Sequence, residues 1–160
     1  MLGVRQKGEG MGPADFGLKV ASDEELAKRE ELVDRVLHEL ARAGLPACRN
    51  ENGAAHDGGA VVSLDWMVKE DGGGVFVEWQ GSEELRRAAM GVPTTGELTN
   101  EMLHEAAKAL SDRGDDPDLI HSGAVDRHMQ AAMIGILSSA GLRAFDPADE
   151  YLPFGIQVEF

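Results

Sequence analysis

Ala43-Gly44-Leu45, then extended chain closing on Val77-Glu78-Trp79, is matched later by Ala140-Gly141-Leu142, then extended chain closing on Val158-Glu159-Phe160. Glycine enters the left-handed conformation that stops a helix without a Cβ penalty, and the leucine after it can fold back on the last helical turn. Each copy therefore reads as a helix that ends sharply and hands over to strands.

Outward from the first copy, Ser22-Asp23-Glu24-Glu25 forms a capping box. Leu26, Val33, Val36, Leu37 and Leu40 then recur at helical spacing until Gly44 and Pro46 end the run. Extended segments are expected over Leu45–Arg49, Ala60–Val68 and Val75–Gln80, the last two joined through the turn-forming Asp71-Gly72-Gly73-Gly74. Strand alternation puts Val62, Leu64, Trp66 and Val68 on one face of the second segment. It puts Val75, Val77 and Trp79 on one face of the third, with Phe76 and Glu78 on the other. Trp66 and Trp79 are thus expected in a common core, and Met67 beside Phe76 across the hairpin.

Further helices are expected over Ser82–Met90, Glu97–Asp112 and Ser122–Ala140. The last carries the clearest apolar stripe: Val125, Met129, Ala132, Met133, Ile136, Leu137 and Ala140. Gly135 lies within this helix and suggests a close approach by a neighbouring element. Leu142–Phe145 and Phe154–Phe160 complete the strands. Short links favour antiparallel pairing. The fold class expected is α+β: a single antiparallel sheet of about five strands with the long helices on one face, its two helix-strand-strand units related by a pseudo-twofold axis. Residues 1–21, rich in glycine, read as a flexible leader whose Phe16, Leu18 and Val20 dock at its end, and residues 22–160 as one domain. Gly8-Glu9-Gly10-Met11-Gly12 has neither the preceding strand nor the spacing of a dinucleotide-binding turn.

Composition narrows the function. A hydrophobic fraction of 42% argues against wholesale disorder. With 29 acidic against 15 basic side chains the formal charge is −14, which disfavours nucleic acid and anionic lipid as partners and suits a basic protein. Membrane partnership is also disfavoured by the want of a long apolar run, and the first residues have no secretory apolar core, so a cytoplasmic location is expected. Ten arginines against five lysines, with abundant Ala and Gly, fit a GC-rich bacterial genome. A single cysteine, Cys48, cannot build a disulfide framework and reads as a small buried hydrophobe. No motif calls for a cofactor.

Glu97, Glu101 and Glu105 stand four apart along the expected third helix. A helix that tolerates like charges at this spacing presents an acid row to a basic partner. With Met67 and Phe76 on the second sheet face, they form the expected partner-binding set. The alternative is a small ligand- or metal-binding enzyme with its site at the start of the last long helix, where Asp118, His121 and His128 offer one carboxylate and two imidazoles. Glu78 and Glu159 occupy matching places in the two units and would suit acid–base work if the sheet brought them together. Asp34 and His38 read as a solvent-facing pair four apart on a helix. The overall expectation is a small acidic, non-enzymatic interaction or regulatory module. It would also self-associate, through an apolar edge left by Val158-Glu159-Phe160.

Overall fold

The computed structural model describes residues 17–51 and 57–160. The remainder of the expected leader, 1–16, and part of the loop before the second strand lie outside the described residues. In chain order the elements are α1 (Asp23–Arg42), β1 (Ala47–Arg49), β2 (Gly59–Asp65), β3 (Gly74–Gln80), α2 (Glu83–Met90), α3 (Asn100–Ala109), α4 (Pro117–Ser139), β4 (Arg143–Phe145) and β5 (Ile156–Glu159).

The helix ends follow from local chemistry. Ser22 accepts the Glu25 amide at 3.2 Å and opens α1. Gly44 and Gly141 end α1 and α4 in the same way, with φ of 86° and 84°. In both, the amide of the next leucine returns to the last turn, Leu45 to Leu40 and Leu142 to Leu137, each at 3.1 Å. The repeated Ala-Gly-Leu is thus a repeated cap.

The sheet built between those caps is not repeated. Its order is β1-β2-β3-β5-β4, and β1 runs parallel to β2 while every other pairing is antiparallel. The sheet is therefore mixed, which corrects the expectation of a purely antiparallel one, and the pseudo-twofold relation is not shown. A parallel neighbour ordinarily needs a long crossover. Here β1 spans only Ala47–Arg49, so the loop over residues 50–58 is long enough to carry the chain back to its start. The final strand is also not an edge: β5 sits between β3 and β4. Among the described residues Val158-Glu159 therefore offers no free strand edge, against expectation.

Strand β2 stops at Asp65 instead of continuing to Val68. The Asp65 side chain accepts the Met67 amide at 2.8 Å, a local turn that competes with the ladder. Trp66 is in consequence 39% exposed and outside the core, against expectation, whereas Trp79 packs against it. Residues 19–21 pair with 66–68 through backbone hydrogen bonds of 2.9 Å. The expected docking at the end of the leader is made by main chain and the buried Ala21, while Leu18 and Val20 remain exposed.

The core takes its strand residues from one sheet face. Ala60, Val62, Val75, Val77, Ile156 and Val158 meet Leu32, Val33, Val36 and Leu40 of α1 and Met133 and Leu137 of α4. Arg29, only 7% exposed, pins α1 to the end of β2. Its guanidinium donates to the carbonyls of Asp65 and Met67, both at 2.6 Å, and to the Glu25 carboxylate at 2.6 Å. Gly135, expected at a close contact, is exposed, and a Cβ there would meet nothing within 4 Å.

Candidate functional site

The opposite sheet face carries Val61 and Ser63 of β2, Phe76 and Glu78 of β3, and Gln157 of β5. The β4–β5 connection, residues 146–155, overlies part of this face. Together they enclose a cleft of about 310 Å³ whose walls include Ser63, Asp65, Phe76, Glu78, Asp149, Tyr151 and Leu152.

The register explains the state of Glu78. Across β2 it faces Val61. One step beyond the Val77–Ile156 pair on the other side lies Gly155, which has no side chain to offer. Among the described residues Glu78 has no hydrogen-bond or ion-pair partner. Burial without compensation disfavours the charged form and pushes its carboxyl above the ordinary range. The other two acids of the cleft are occupied locally. Asp65 accepts the Met67 amide, and Asp149 accepts the Tyr151 amide at 2.9 Å.

The overlying loop is fixed from behind. Gln130, buried in α4, donates from its side-chain amide to the Gly155 carbonyl at 3.0 Å. The Arg127 guanidinium lies 5.9 Å from the centre of the Phe154 ring. Phe154 and Ala148 hold φ of 60° and 53°, a region that L side chains adopt at the expense of strain. Held this way, the loop leaves Tyr151 almost wholly in solvent, at 96% exposure.

A second cleft, of about 180 Å³, lies between the start of α1 and the ends of β3 and β5. Its charges neutralise one another: Arg29 with Glu25 at 2.6 Å, and Lys69 with Glu159 at 2.6 Å. Glu159 also pairs with Arg143 at 2.8 Å. Led by the Lys69 hydrogen bond, these contacts hold its carboxyl below the usual range. Glu78 and Glu159 share a face, but the register sets them four residues apart along β3, about 13 Å. They cannot act as one acid–base pair.

The remaining candidates are dispersed. Thr99 accepts the Met102 amide at 3.2 Å and starts α3 at Asn100, so Glu97 lies before the helix and the row of three acids is cut to Glu101 and Glu105. Glu105 is paired with Lys108 at 3.3 Å. Met67 lies past the end of β2, bridges to Val20, and does not join Phe76 in the cleft. Helix α4 starts earlier than expected, because Asp116 accepts the Asp118 and Leu119 amides at 2.9 and 3.2 Å and Pro117 suits the first turn. Asp118, His121 and His128 are therefore all helical and exposed. His121 and His128 are nonetheless two turns apart, roughly 10 Å along the axis, too far to converge on one ion. Among the described residues no group of three or more His, Cys, Asp or Glu is placed to hold a metal.

Asp34 and His38 are both exposed on α1. Cys48 is half-buried, with its thiol 3.7 Å from the Ala60 carbonyl, and burial pushes its pKa up, away from a reactive thiolate. Among the described residues no helix is long and apolar enough to cross a membrane.

No protein-family model, curated protein or solved structure matches the chain. Any functional reading therefore stands on these residues alone.

Proposed function

We propose that the protein is a small non-enzymatic interaction module that engages, and in doing so neutralises, a basic protein partner. The contact surface is the sheet face carrying Phe76 and Glu78 together with the loop that carries Tyr151. One observation carries this reading. On that face an aromatic cleft keeps an unpaired, part-buried carboxylate, whereas the charged side chains of the neighbouring cleft are paired within the chain. A tyrosine left 96% exposed beside the cleft supports it further, since tyrosine is enriched among the residues that anchor protein interfaces. The net charge of −14 would draw a basic partner in. Glu97, Glu101 and Glu105 contribute to that attraction as solvent-facing charge.

The test is partner capture at graded salt with three forms of the chain. The unchanged protein is expected to retain a basic protein at low ionic strength and release it as salt rises. Phe76→Ser should lose it, and the double reversal Glu101→Lys with Glu105→Lys should weaken it only moderately. Capture insensitive to salt and to Phe76→Ser would overturn the proposal.

A further inference from the structure

We propose that the cleft between the Phe76 strand and the Tyr151 loop is a receptor for one cationic side chain of the partner, a guanidinium or ammonium group held against the aromatic rings and facing Glu78. The inference rests on the interaction reading and adds what the cleft itself recognises. Among the described residues its walls include three carboxylates and no lysine or arginine. An anion would be repelled there. A purely apolar group would strip more water from Glu78 and return nothing. A cation restores the missing partner to that carboxylate and gains from the ring of Phe76, with the exposed Tyr151 at the rim of the cleft.

The dimensions agree. At about 310 Å³ the cleft lies at the small end of ligand sites, with room for one side chain and not for a folded element. Asp65 and Asp149 each already accept a backbone amide, which leaves Glu78 as the one carboxylate of the cleft without a partner among the described residues. Asp126 of α4, also part-buried with its pKa raised by burial, is not in the cleft's lining. The upward push on Glu78 reports the same uncompensated desolvation and is expected to reverse when the cation enters.

Titration of the isotope-labelled protein with N-acetyl-arginine amide, followed by NMR, tests this. The neutral citrulline analogue and calcium chloride serve as parallel probes. Saturable shifts are expected at the amides of Phe76, Glu78 and Tyr151 with the arginine probe and not with citrulline. Affinity should fall about fivefold in Glu78→Gln and again in Tyr151→Ser. Tyr151→Ser changes a side chain in solvent, so it keeps the comparison valid if Glu78→Gln disturbs the sheet. Equal shifts with citrulline, unchanged affinity in both variants, no saturable shift, or preferential occupation by calcium would each overturn the inference. Failure here with partner capture still lost in Phe76→Ser would remove the cation receptor and leave the interaction surface standing. Failure of both would remove both.

Discussion

The two faces of the sheet are made by the same strands and do opposite things. On one, Val62, Val75 and Val77 are at most 1% exposed beneath α1 and α4. On the other, one residue along each strand, Ser63, Phe76 and Glu78 stay partly open around a cleft. The covered face is spent on stability. The other keeps a half-buried ring and an unpaired acid at the wall of a cleft, which a fold alone would not need. Strand alternation makes this division possible, because each side chain belongs to one face only.

The largest expected effect breaks the covered face. Leu137→Ala should destabilise the protein by about 3 kcal/mol through lost burial and a residual cavity, read as a lower denaturant midpoint with unchanged slope. On the open face the half-buried Phe76→Ser should cost less, about 1 to 2 kcal/mol, which sharpens the contrast. Arg29→Ala comes next, at about 2 to 3 kcal/mol, because it orphans the Asp65 and Met67 carbonyls and the Glu25 carboxylate together. Gly135→Ala should act in the other direction and stabilise by about 1 kcal/mol, since the site is helical, exposed and unobstructed.

The smallest effects belong to the acids of the open face, and they are separable by pH. Burial raises the folded pKa of Glu78, so its contribution to stability is complete below the unfolded carboxylate range. That contribution is lost as pH rises through the folded value. Glu78→Gln should therefore raise the unfolding temperature at neutral pH and leave it unchanged in acid. Glu159 behaves in the reverse sense. Its pKa is lowered by Lys69 first and Arg143 after, so its contribution is present above the unfolded value and disappears as pH falls through the folded one. Glu159→Gln should cost up to about 1 kcal/mol at neutral pH and nothing in acid. Parallel thermal melts of the two variants at neutral and acid pH check both signs.

Much of the covered face was legible in the sequence. Ser22, Gly44 and Gly141 act within a single helical turn of their own positions, and the Val-rich alternation of β2 and β3 fixes which side is buried. Asp116-Pro117 is equally legible as a cap and first helical residue, and the expected start at Ser122 overlooks that signal. Trp66 was misplaced because the pattern of alternation carries no sign of the Asp65 turn that ends the strand. The mixed pairing of β1 and the internal place of β5 depend on contacts between distant segments, which periodicity does not encode. The open-face cleft belongs to that class. Phe76 and Glu78 were visible as outward residues. Only the β3–β5 register puts Gly155 beside Glu78, and only the returning loop brings Tyr151 over the sheet.

The most direct test of the open face as an interaction surface is site-specific photo-cross-linking from within it. Replacing Tyr151 by benzoyl-phenylalanine changes an exposed side chain. A control at Ala131 of α4 is also exposed and is not part of the cleft lining. The account predicts a discrete adduct with a basic protein from position 151, suppressed by salt and by Phe76→Ser, and none from position 131. The same adducts from both positions, or no adduct from 151, would contradict it.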